Sequence, residues 1–133
     1  MAKRLTKEDI RNTAGVLNPV GHVILAFRDD ATTSKAVDAL REAGFAEPDI
    51  LVYTAAEATP RLRERVRTTS EAAGFGYEIT LMRRYLSLAE EGSGWCIVYA
   101  PNDEAVARVV EVARRFDARC AVRYHRLANE DLI

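Results

Sequence analysis

The sequence predicts an α/β (α+β) fold, a two-layer ferredoxin-like sandwich of βαβ–(αα)–βαβ order with a two-helix insertion between strands 2 and 3. Three observations predict it. Gly94 to Arg126 reads as strand, helix, strand: an apolar run from Trp95 to Ala100, a helix of period 3.6, and an alternating strand ending at His125. His22 to Tyr53 reads the same way. Between them lies a stretch with helical patterning and no strand signal. A split βαβ unit used twice is the signature of this arrangement. A small three-layer doubly wound sheet, with the insertion as crossover, is the second architecture the pattern allows.

The chain is expected to be one domain, residues 1–133, with a helical arm over 1–20, βαβ units over 21–54 and 94–126, and the insertion over 59–91. Thr6 and Asp9 resemble a capping box, which predicts a short helix over Lys7 to Ala14, ended by Gly15 and Asn18-Pro19. Val23 to Phe27 is apolar without interruption, as in a central strand. Asp29-Asp30 opens a helix from about Ala31 to Ala43, with Gly44 free to turn left-handed after it. Phe45, Pro48 and Asp49 form a turn, and Ile50 to Tyr53 a short strand. Thr59-Pro60 predicts the start of a helix running to Ala73, because proline suits the first helical position. Gly74-Phe75-Gly76 breaks it, and a second helix spans about Tyr77 to Glu91. In the closing unit Asn102 caps a helix with Asp103 and Glu104 in its first turn and Arg114 and Arg115 at its end.

Laying Asp30 on Asn102 places Val23, Leu25 and Phe27 on Trp95, Ile97 and Tyr99, and Val37 on Val109. With Cys120, Val122 and Tyr124 these larger residues are assigned to the helix-covered face. Alternation then sends His22, Arg28, Cys96, Arg123 and His125 to the other face, which is expected to be open.

Composition excludes several classes. Apolar residues make up 48% and charged residues 29%, a globular balance, and the net charge of −1 offers no general attraction to nucleic acid or acidic membranes. Nucleic acid and membrane are therefore not expected partners. The basic N-terminus has no apolar run behind it, which argues against a signal peptide, and no run approaches the roughly 18 residues of a membrane span. Two cysteines make no disulfide framework, so a reducing cytoplasm is the expected compartment.

Candidate chemistry is sparse. His22 and His125, at adjacent strand ends, form with Arg123 a candidate ligand-binding group. Arg61, Arg63, Arg65 and Arg67 form a candidate anion patch, although successive pairs sit roughly 200° apart on a helix and solvated pairing with Glu64 and Glu71 is the plainer reading. A zinc site would need a third ligand, and Cys96 is expected at the far end of its strand. No phosphate loop, dinucleotide fingerprint, nucleophile elbow or paired-cysteine motif is present, so no catalytic residue, metal or cofactor is assigned.

The segment AFRDDATTSKAVDALREAGFAEPDILVYT resembles the strand–helix–strand unit of small bacterial heat-induced or general stress proteins, and GWCIVYAPNDEAVARVVEVARRF resembles their closing half. The resemblance spans roughly Val23 to Tyr53 and Gly94 to Val122. It implies a bacterial cytoplasmic protein in a stress-linked setting, without catalytic residues to carry over.

These readings lead to a non-enzymatic interaction or regulatory module, with a small-ligand sensor for an anion or nucleotide as the second function. A homodimer is expected, because the Tyr77–Glu91 helix is apolar on two sides, with Leu81, Tyr85 and Leu88 on the side left over. The rival arrangement folds that helix over its own sheet. An unidentified protein or small molecule is the remaining partner class.

Overall fold

The computed structural model describes residues 3–11, 19–71, 76–125 and 128–133. Gly15, Asn18, Gly74 and Phe75, named above as helix stops, lie outside them. The elements run α1 (Lys7–Arg11), β1 (His22–Phe27), α2 (Asp30–Glu42), β2 (Ile50–Tyr53), α3 (Ala55–Glu71), α4 (Gly76–Glu90), β3 (Gly94–Tyr99), α5 (Asp103–Arg115), β4 (Cys120–Tyr124) and β5 (Asn129–Asp131).

Local chemistry explains the boundaries. Thr6 and Asp9 form a reciprocal capping box, each side chain accepting from the other's backbone N–H at 3.1 and 2.9 Å. The Asp29 carboxylate accepts from Thr32 N–H at 2.7 Å and starts α2; the Asn102 side chain accepts from Ala105 N–H at 2.9 Å and starts α5. Gly44, with φ 102°, follows α2 in the left-handed region. Helix α3 begins five residues before the predicted Pro60. Thr54 and Glu57 make a second capping box there: Thr54 Oγ1 accepts from Glu57 N–H at 3.1 Å, and the Glu57 carboxylate accepts from Thr54 N–H at 3.0 Å. Pro60 therefore sits inside the helix, where it withholds one backbone donor.

The strands form one five-stranded sheet in the order β2-β3-β1-β4-β5, antiparallel at every junction. Strand β1 is buried along its whole length, as its unbroken apolar run requires of a strand covered on both faces. One face carries Val23, Leu25, Phe27, Cys96, Val98 and Ala121 against α2 and α5. The other carries Ile24, Ala26, Trp95, Ile97, Cys120, Val122 and Tyr124 against α3, α4 and Ile10 of α1. The chain thus has three layers, and the predicted two-layer sandwich with an open face is corrected. Leaving Ile24, Trp95, Ile97 and Tyr124 in water would expose one continuous apolar surface, and the insertion covers it.

The predicted internal match was off by one residue. Asn102 corresponds to Asp29 rather than Asp30, since these are the two residues that cap 13-residue helices. In that register Val23, Leu25 and Phe27 correspond to Cys96, Val98 and Ala100, all in the core beside α2 and α5. A one-residue slip moves every side chain to the opposite face. On β3 the smaller Cys96 and Val98 face α2 and α5, while Trp95 and Ile97 face α3 and α4. Among the described residues, no helix is long and apolar enough to cross a membrane.

Candidate ligand-binding site

The group predicted from His22, Arg123 and His125 is not brought together. His22 lies on the face of Ile24, its ring 5.1 Å from that of Tyr99. It is 1% exposed, with Nε2 accepting the Leu5 N–H at 3.2 Å. Nδ1 must then carry the proton and donate to the Val20 carbonyl at 3.0 Å. Burial pushes its pKa below the usual histidine value, against the opposing pull of the Val20 and Pro19 backbone and of Asp49. His22 is thus a neutral group that ties down the N-terminal arm. Arg123 pairs with Val23 across the sheet and so lies on the α5 side, where it meets Asp103 at 2.9 Å. His125 Nε2 meets Glu130 at 2.9 Å. The one-residue slip in facing accounts for the correction.

The four arginines of α3 do not form one patch either. Arg63 pairs with Glu90 of α4 at 3.3 Å, and Arg67 is held by Glu64. Arg65 donates to the Ile10 carbonyl at 3.0 Å, which ties α3 to α1. Arg61 lies over the ring of Tyr53, 5.6 Å from its centroid. The side chains expected at an interface between copies are also placed otherwise. Leu81 and Tyr85 are 5% and 1% exposed in their own chain, packed on the second sheet face, and Leu88 is half-buried beside them. The rival arrangement is the one the chain adopts, and covering these residues needs no second copy.

What the insertion creates is a cavity. It has a volume of about 820 Å³ and lies between α3, the sheet face and Ile10 of α1. Ile24, Trp95 and Ile97 form its floor, Leu62 and Ala58 its wall, and Arg61, Arg65 and Arg67 with Glu64 lie along α3. Such a volume falls within the roughly 300–1,000 Å³ of small-molecule sites, and the mix of apolar lining with a few polar groups is theirs too. Its floor is rigidly set. Trp95 stands opposite Tyr53 across β2 and β3, and the Tyr85 ring meets it edge-on at 5.3 Å. The Tyr85 hydroxyl in turn lies 2.8 Å from the Tyr124 hydroxyl. The Trp95 indole N–H is buried and without a hydrogen-bond partner, an unusual position for so strong a donor.

The corner around Tyr53 is cationic. Lys7 Nζ lies 4.6 Å from the ring centroid and Arg61 5.6 Å. The two cysteines offer no nucleophile, since burial raises each thiol to about 12. They lie on opposite faces and are unbridged.

Tyr53 was read from sequence as the end of a strand and Trp95 as core against the other helix layer. The missed signal was Thr54-Ala-Ala-Glu57, a capping box directly after β2. A helix that leaves the sheet without a linker must cross its face, which is what places Arg61 over Tyr53. An apolar cavity with a cationic corner defines the class of site. No protein-family model, curated protein or solved structure matches the chain.

Proposed function

We propose that this protein is a small-ligand-binding sensor domain whose site is the cavity between α3 and the sheet. The observation that carries this reading is the 820 Å³ apolar cavity floored by Ile24, Trp95 and Ile97. Of the two functions read from sequence, the cavity favours the small-ligand sensor; the apolar side of α4, from which a homodimer was expected, packs on the chain's own sheet. The bacterial, stress-linked setting is proposed on the sequence resemblance alone. A ferredoxin-like frame, extended by β5 and by α3 and α4, is proposed for the βαβ units; the placement of β3 between β1 and β2 supports it.

Trp95 is the chain's single tryptophan, so its fluorescence reports on the cavity directly. Titration with 1-decanol, a neutral apolar probe, is expected to shift its emission and raise the melting temperature by mass action. Unchanged emission and melting temperature across alcohols of increasing chain length would count against a ligand site.

A further inference from the structure

We infer that the cavity takes an amphipathic anion, an unbranched hydrocarbon body carrying an oxyanion head, with Lys7 and Arg61 receiving the head beside Tyr53. The inference rests on the reading of the cavity as a ligand site and names the class of ligand.

Three features bear on the cavity wall that Tyr53, Arg61 and Trp95 line, with Lys7 reaching it over the Tyr53 ring. Lys7 and Arg61, from α1 and α3, both approach the Tyr53 ring, at 4.6 and 5.6 Å. Among the described residues neither has a carboxylate within ion-pair distance, whereas Arg63 and Arg67 on the same helix are each paired. Glu57, near both cations, is engaged: its carboxylate accepts from Thr54 N–H and Oγ1 at 3.0 and 3.1 Å. Glu64, three residues along α3 from Arg61, is held by Arg67. Glu57 still offsets these charges through space, so the corner carries two cations against one carboxylate. The third feature is the Trp95 N–H, buried and unpartnered on the strand next to Tyr53. A buried donor without an acceptor carries its full desolvation cost until something accepts from it. An oxyanion placed here would meet the two cations, while the hydrocarbon follows Ile24, Ile97 and Leu62. A neutral ligand would satisfy the walls and leave the corner unused.

The test compares decanoate, decyl phosphate and 1-decanol by Trp95 fluorescence on the full chain, with a Lys7→Gln/Arg61→Gln variant beside the wild type. Both substituted side chains are on the surface, and a melting curve verifies that the variant folds. The two charge-assisted contacts predict that wild type binds at least one of the anions roughly tenfold or more tighter than decanol. Tighter binding of decanoate marks a carboxylate ligand, and tighter binding of decyl phosphate a phosphate ester. In the variant that preference is expected to vanish while decanol binding stays within about twofold. Equal binding of all three probes to wild type, or an anion preference that survives in the variant, overturns the anion corner and leaves the cavity reading standing. Failure of all three to bind overturns both.

Discussion

The hydroxyls of Tyr85 and Tyr124 lie 2.8 Å apart in the interior, joining α4 to β4 across the second sheet face. Both side chains are almost fully buried, so each hydroxyl depends on a protein partner. This contact fixes the helix that bears on Trp95, and so the floor of the cavity. Tyr85→Phe is expected to destabilise the fold by about 1 kcal/mol, since it removes the buried hydrogen bond that joins α4 to β4. The Tyr85→Phe/Tyr124→Phe double variant is expected to lose less than the sum of the single changes. Urea melts of the four proteins close the cycle, and strict additivity would show that the hydroxyls do not act together.

At Gly94 the backbone of β3 lies close against the start of α2. A Cβ built there would lie 2.3 Å from Thr33 Oγ1 and 2.8 Å from an Asp30 carboxylate oxygen. The same Asp30 oxygen accepts from Ala55 N–H at 2.9 Å, so α2, α3 and β3 meet at one point. Gly94→Ala is expected to cost about 1–3 kcal/mol through overpacking. Adding Thr33→Ala removes the nearest obstacle and is expected to recover part of that loss, as read by denaturant midpoints. An unaffected Gly94→Ala protein would show that α2 can move away freely.

Much of this arrangement could be read from the chain. The apolar runs of β1 and β3, the caps at Thr6 and Asn102 and the left-handed Gly44 all mark elements where they occur. The facing of the strands could not be read so well, for a physical reason. Strands buried on both sides carry no polar alternation, so Val23 and Ile24 give no sign of which helices each meets. Adjacent acids at Asp29 and Asp30 made the cap ambiguous, and one residue was enough to invert β3; β4 was placed by the size of Val122 and Tyr124, which face α3 and α4 instead. Strand β5 was missed because Asn129, Glu130 and Asp131 have no strand propensity; it exists by pairing with β4. The arginine run was visible as charge, but the cavity depends on α3 crossing Tyr53 and Trp95, which is a tertiary relationship.

Leu81 separates the present arrangement from the dimer expected from sequence. It packs on the sheet face in its own chain. Leu81→Asp therefore buries an unpaired carboxylate and is expected to abolish or severely weaken folding rather than change the association state. Circular dichroism melts with sedimentation decide the matter. A stable, folded Leu81→Asp protein would place the side chain at a surface.

The pH dependence follows from His22. Its ring is neutral, accepting from Leu5 N–H and donating to the Val20 carbonyl, and burial holds its pKa below the ordinary value. The unfolded chain, with a histidine pKa near ~6.5, takes up a proton first as pH falls. The stability associated with the neutral ring is therefore complete above about pH 6.5 and is lost as pH drops from there toward the folded value. A single proton limits the slope to about 1.4 kcal/mol per pH unit. Protonating Nε2 also removes the acceptor for Leu5, so the arm carrying Lys7 and Ile10 should loosen in the same window. Urea midpoints at pH 7.5 and 5.5 are expected to fall for the wild type. For His22→Gln, which is less stable at both pH values, the difference should be much smaller. Amide exchange at Leu5 should quicken below the transition once corrected for its intrinsic pH dependence. An undiminished pH response in His22→Gln, or Leu5 protection that does not change, would assign the acid sensitivity to another group.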